Sequence, residues 1–181
     1  MERKYFLSVL VQNNSGVLCR VAGLFSRRGY NITSLTVGET LDPKYSRITI
    51  ELFGNAYILE QIKKQLGKLV EVIKITEMKP DDAIMRELML VKVEAIGEAR
   101  ARIIEICNVF HAKISDLSST TATIEISGYA TKNHALLDLL KEFGIIEIAR
   151  TGITGLHRGE QRLMDERERA EIEEREHEQK D

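Results

Sequence analysis

Few residues in this chain have the types and spacing that chemistry requires. Four histidines occur, His111, His134, His157 and His177, each in a bland context: one ends a helical stretch, one opens another, and two lie in the charged C-terminal region. Cys19 and Cys107 stand 88 residues apart within apolar helical patterns, so the spacing suggests neither a disulfide framework nor a pair of metal ligands; both read as buried thiols. No HExxH, GxSxG, CxxC or GxxxxGK[ST] segment is present, which leaves zincin, hydrolase, redox and P-loop chemistry without their minimal parts. Gly152, Gly155 and Gly159 have the wrong spacing for a nucleotide fingerprint and read as a flexible exit from the last strand. One constellation stands apart. Gln12-Asn13-Asn14-Ser15-Gly16-Val17-Leu18 joins an apolar strand pattern to a helical one. Free N–H groups at a helix start favour a carboxylate, and an asparagine amide can bond a carboxylate or an ammonium. With Asn31 and Ile32 opening the second strand at a module edge, a small zwitterion is one reading of this corner. Ordinary capping, with Asn and Ser serving turn geometry, is the other.

The elements that must position this corner are repeated. Thr49-Ile50-Glu51-Leu52-Phe53-Gly54 is echoed 74 residues later by Thr123-Ile124-Glu125-Ile126-Ser127-Gly128. A strand (5–11), a helix (16–27) and a strand (31–37) precede the first echo, and 88–95, 99–110 and 113–117 precede the second in the same order. Ile48, Ile50 and Leu52 alternate with Arg47, Thr49 and Glu51, one face toward a core and the other toward water. Val17, Val21, Leu24 and Phe25, then Leu59, Ile62 and Leu66, fall at helical spacing. Gly29 stands where a helix C-cap is expected, and Asp42-Pro43 marks a turn. Each half thus reads β-α-β-β-α-β. The fold class is α+β: two tandem ferredoxin-like βαββαβ modules, antiparallel sheets with helices on one face. The boundaries are 1–78, a linker at 79–86, a second module at 87–159, and a charged helical or frayed tail at 160–181. Modules this small are marginal alone, so an uncovered sheet face or an edge strand is expected to pack against another copy.

Composition narrows the function. The chain has 181 residues, 43% hydrophobic and 30% charged, with no tryptophan and a net charge of −2. Ten acidic residues face six basic ones from His157 onward, so the body is nearly neutral and lacks the basic face that nucleic-acid binding needs. A ferredoxin-like RNA reader would also show stacking aromatics on its central strands, where this chain has Arg47, Thr49 and Glu51. No apolar run reaches the roughly 18 residues that span a bilayer, and no signal-peptide pattern opens the chain. The expectation is a soluble, cytoplasmic protein without nucleic-acid or membrane partners.

The residues Asn13-Asn14-Ser15-Gly16-Val17-Leu18, Arg20-Val21, Gly23-Leu24-Phe25-Ser26, Arg28-Gly29-Tyr30-Asn31-Ile32 and Ser34-Leu35-Thr36-Val37 resemble the ACT-domain start of the regulatory small subunits of acetolactate synthase (acetohydroxyacid synthase). The likeness continues through Ser46-Arg47-Ile48-Thr49-Ile50 and Arg86-Glu87-Leu88-Met89-Leu90, and Gly155-Leu156-His157-Arg158-Gly159 resembles the family's ending. The resemblance implies a non-catalytic subunit that activates a catalytic large subunit and confers feedback inhibition by valine or another branched-chain amino acid. This chain would bind no cofactor itself; thiamine diphosphate, magnesium and FAD would belong to the large subunit. It also implies a homodimer of paired ACT modules with the effector at their interface. By position, the effector-binding residues are Asn13, Gly16, Val17, Leu18, Asn31 and Ile32: the backbone N–H groups of Gly16 to Leu18 for the carboxylate, Asn13 and Asn31 for the polar groups, Ile32 for the side chain. The second copy reads Ala95-Ile96-Gly97-Glu98 at this corner, with Lys113 near the place of Asn31, and is expected not to bind effector. The loop 38–45 is a candidate for reaching the large subunit. A free-standing amino-acid-binding transcription regulator is the alternative, though no helix-turn-helix with a basic helix is visible; an enzyme is the third possibility.

Overall fold

A computed structural model describes residues 2–163. The chain opens with β1 (Arg3–Gln12), whose Leu7, Val9 and Val11 lie on one face and are almost wholly buried. Next comes α1 (Val17–Arg27), which buries Val17, Val21, Leu24 and Phe25 as a single stripe. It ends in a Schellman motif: Gly29, at φ +67°, donates its N–H to Ser26 O at 3.1 Å, and Tyr30 donates to Phe25 O at 3.0 Å. That reversal sends the chain back into β2 (Ile32–Glu39), then β3 (Tyr45–Gly54). The side chain of Asn55 caps α2 (Ala56–Leu66) by accepting from Ile58 N at 3.0 Å, and β4 (Val72–Met78) completes the module.

The strands form a sheet in the order β2-β3-β1-β4, antiparallel at each contact. Both helices lay their apolar stripes on the face carrying Leu7, Val9, Ile48, Ile50 and Leu52, making one aliphatic core. The plan then repeats with β5 (Ala83–Glu94), α3 (Ala99–Phe110), β6 (Lys113–Leu117), β7 (Thr121–Gly128), α4 (Ala130–Leu140) and β8 (Ile145–His157). The second sheet runs β6-β7-β5-β8 over its own core of Met89, Val91, Val93, Ile103, Ile124 and Leu136. By contacts the described residues divide into Met85–Thr154 and a unit built from the chain up to Ile84 together with residues 155–163. The strand β5 begins inside the stretch 79–86 read as a linker, and the end of β8 lies in the first unit. No helix among the described residues is long and apolar enough to cross a membrane.

Three readings from sequence are corrected. Thr49 and Glu51, expected to face water, are buried; Glu51 is paired with Lys4, whose Nζ stands 2.7 Å from Oε1, and Thr49 lies across from buried Ser8, which is flanked on its other side by Thr76. Cys19 is exposed, because it falls two residues after Val17 and so off the buried stripe, whereas Cys107 is buried. Gly152 and Gly155 are inside β8 rather than beyond it, with Gly152 at φ +82° and Gly155 O accepting from Arg47. Of the tail read as helical or frayed, residues 160–163 are described: they are not helical, and Leu163 is buried against Leu10 and Tyr45. The rest of the tail lies outside the described residues.

Ile50 is wholly buried at the centre of the first core. Ile50→Ala should therefore cost about 2–5 kcal/mol, read as a lower urea midpoint with an unchanged slope.

Candidate functional site

The corner between β1 and α1 is built around Asn13. Its backbone N–H donates to Lys44 O at 2.7 Å, and its amide Nδ2 donates to Glu39 Oε1 and to Pro43 O, each at 3.0 Å. Its Oδ1 accepts from Ser46 Oγ at 3.0 Å. One side chain thus ties the end of β2, the β2–β3 loop and the start of β3 to the exit of β1. Both amide donors are committed, and one lone pair of Oδ1 remains. Within the loop, Asp42 Oδ1 accepts from Lys44 N at 3.1 Å and Thr40 Oγ1 donates to Asp42 O at 2.8 Å, which makes the turn expected from Asp42-Pro43.

Gly16 precedes the helix at φ +86°, a left-handed conformation that costs other residues about 1–2 kcal/mol. A Cβ added there would meet nothing within 4 Å, and residues 13–16 are all exposed, so the corner faces solvent. No side chain caps α1, and the first residue's N–H makes only a long bond, Val17 N to Asn14 O at 3.3 Å. A helix start leaves its first N–H groups without intrahelical acceptors, and together they carry positive partial charge. The corner can therefore receive an anionic group through backbone alone. Leu18 is exposed on the first turn, while Val17 turns into the core. Arg20 forms an ion pair with Glu71, and Gln12 N donates to Glu71 O at 2.9 Å, which holds this first turn against the approach to β4.

Asn31 and Ile32 are elsewhere. Ile32 aligns with Leu52, at the opposite end of β3 from Ser46, which faces Glu39. Six residues of strand separate the two levels, about 20 Å at 3.3 Å per residue. One chain therefore brings Asn13, Gly16, Val17 and Leu18 together but not Asn31 and Ile32. Asn31 is exposed, and Ile32 is half-buried against the core. Ser46, Pro43 and Glu39, which hold the corner, carry no sequence signal of that role, since each meets Asn13 from 26 to 33 residues away.

In the second unit Gly97, at φ +58°, repeats the left-handed residue before a helix, and a Cβ there would likewise meet nothing within 4 Å; the difference is a cation placed across the corner's carbonyls. Arg100, in the first turn of α3, donates from its guanidinium to Ser118 O at 2.7 Å, Ser119 O at 2.8 Å and Ala95 O at 3.3 Å. Glu98 occupies the N-cap with no capping bond from its side chain. Lys113 is exposed at the start of β6. Among the described residues no three His, Cys, Asp or Glu side chains cluster as metal ligands would.

Residues 7–74 match the family profile described as the AHAS small subunit-like ACT domain, and residues 86–159 match that of the small subunit of acetolactate synthase. The chain belongs to the acetolactate synthase small-subunit family. It is 47% identical over 156 residues to a probable acetolactate synthase small subunit of Methanothermobacter thermautotrophicus, covering 86% of this chain and 93% of that one. With the acetolactate synthase small subunit of Mycolicibacterium smegmatis it shares 50% identity over 153 residues, 84% and 90% of the two chains. The crystal structure of the acetolactate synthase small subunit from Thermotoga maritima superposes with a TM-score of 0.81 at 42% identity, covering 88% of this chain and 99% of that one. The pair of βαββαβ modules is thus the small-subunit fold, and its ACT half carries the open corner.

Asn13→Ala removes three side-chain bonds from an exposed network. It should destabilise the small subunit by about 1–2 kcal/mol and accelerate amide hydrogen exchange in 39–45, with little change in exchange across α2.

Proposed function

We propose that this small subunit is the non-catalytic regulator of acetolactate synthase: it activates a separate catalytic large subunit and transmits feedback inhibition by valine or another branched-chain amino acid. The observation that carries this reading is the uncapped, glycine-headed start of α1, open to solvent at a corner held rigid by Asn13. A free amino acid supplies a carboxylate for those N–H groups, an ammonium for the remaining lone pair of Asn13 Oδ1, and an aliphatic side chain that needs an apolar wall.

A second copy of the chain supplies that wall. The strand β2 is an edge of its sheet, the position at which a strand of another copy can be added. When two copies pair edge to edge along β2 about a two-fold axis perpendicular to the strand, the two β2 strands run antiparallel and the start of one lies beside the end of the other, where Glu39 already touches Asn13. Asn31 and Ile32 of one copy then reach the Gly16 corner of its mate. The 20 Å separation within one chain becomes proximity between two, so the six residues converge only in a homodimer. In the second unit the guanidinium of Arg100 occupies the backbone acceptors of the corner and Glu98 presents a carboxylate at the helix start, which favours packing or large-subunit contact there. The thiamine diphosphate, magnesium and FAD of the enzyme are read as held by the large subunit, and both subunits as cytoplasmic.

Calorimetry with valine, leucine and isoleucine, followed by assays with purified large subunit, tests the proposal. Gly16→Asp puts a carboxylate where the effector's would lie; it and Asn31→Ala should each weaken valine binding at least tenfold while activation of the large subunit persists. Activation lost in step with inhibition would point to misfolding instead. Because each pocket is shared by two chains, added valine should shift sedimentation toward the dimer; no shift under saturating valine would remove the shared site.

A further inference from the structure

We propose that the first unit carries a second ligand site, separate from the helix-start corner: a cavity beside the β2–β3 loop that takes a small organic anion, its head on the Arg47 guanidinium and its aliphatic body against leucines. The cavity measures about 380 Å³, within the range of small-molecule pockets. Arg47, on the face of β3 away from the helices, lines it. The guanidinium donates from one nitrogen to Gly155 O at 3.1 Å, and no carboxylate pairs with it among the described residues. It is half-buried, and burial pushes its pKa below the usual arginine value. A cation drawn out of water without a counter-ion is costly, and an anionic oxygen pair is the group that relieves the cost.

The remaining wall selects against a bare inorganic ion. Leu10, Leu156 and Leu163 line the same space, and Leu163 brings the chain after β8 onto it. Arg162 adds a second cation. Asp42 is the one carboxylate on the wall, and its Oδ1 already accepts from Lys44 N. Two guanidinium groups, one acid and an aliphatic floor fit a carboxylate or phosphate monoester on a short hydrocarbon chain. The planar fork of arginine suits either head.

The test titrates the full chain with butyrate, butyl phosphate, inorganic phosphate and butylamine, reading heat and the methyl resonances of Leu10, Leu156 and Leu163. Butyrate or butyl phosphate should saturate with a Kd at or below about 1 mM, and the tighter of the two names the head group. Inorganic phosphate should bind about tenfold more weakly and butylamine not at all. Arg47→Gln should lose tenfold or more, whereas Gly16→Asp should leave the affinity unchanged, since a carboxylate could also visit the helix start. Should Arg47→Gln fail to fold, Arg47→Lys decides, because it keeps the charge and loses the fork; undiminished binding in either variant overturns the site. Loss of binding in Gly16→Asp, methyl shifts confined to other residues, or no saturation by about 10 mM overturns it as well.

Discussion

The side chain of Asn13 is the constraint on which the first unit's corner depends. An amide is the one side-chain group that offers two donors and a twofold acceptor in a plane, and all but one of those valences are used within the chain. Aspartate would lose both donors and face Glu39 with a like charge. The result is a corner whose geometry is set before any ligand arrives, so a ligand need not pay to order it. The residues that sequence reading places side by side also differ in what they do: Asn13 chiefly shapes the corner, while the peptide groups of the helix start carry its positive partial charge.

The two modules show how one backbone corner can be built with or without a cation across its carbonyls. Both enter their first helix through a left-handed glycine, Gly16 and Gly97. After the first stands Leu18, which cannot bond a carbonyl; in the first turn of the second stands Arg100, whose donors reach three carbonyl oxygens across the corner. Those carbonyls would otherwise need water. Both modules have an aliphatic core, which only requires apolar residues at the right period, and they differ at the polar corner.

What could be read from the chain follows the same division. The alternation of Ile48, Ile50 and Leu52 and the stripe of Val17, Val21, Leu24 and Phe25 are local patterns, and they yielded the βαββαβ order and the core. Gly29 announced a helix end because a Schellman turn needs a left-handed residue there. Contacts made at long range left no such mark. Nothing in the neighbourhood of Asn13 points to Ser46, and nothing near Arg100 points to Ser118. Cys19 is exposed despite its apolar sequence neighbours, because an apolar neighbourhood is not an apolar face. Glu51 was misplaced because alternation tells which residues share a face, not whether that face is wet. The separation of Asn31 from Gly16 needed topology: two parallel strands joined by a helix always begin where the first began, so the residues flanking α1 stand at opposite ends of the sheet.

The β2–β3 loop connects the features of the first unit more closely than its exposed tip suggests. Leu41 is fully exposed, yet residues on either side of it are bound to Asn13, through Glu39 on one side and Pro43 and Lys44 on the other. Ser46, which completes the clasp, is the neighbour of Arg47 on β3, and adjacent residues of a strand point to opposite faces. Any displacement of the loop must therefore loosen bonds to Asn13, at roughly 1 kcal/mol for each. A ligand that rigidifies the corner thereby raises the cost of moving the loop, and a partner that grips the loop acts on the corner by the same amount, because coupling between sites is reciprocal. Useful regulation needs only 1–3 kcal/mol of such coupling, which is the scale that three or four hydrogen bonds provide. The network is weak enough to switch and strong enough to be felt at both ends.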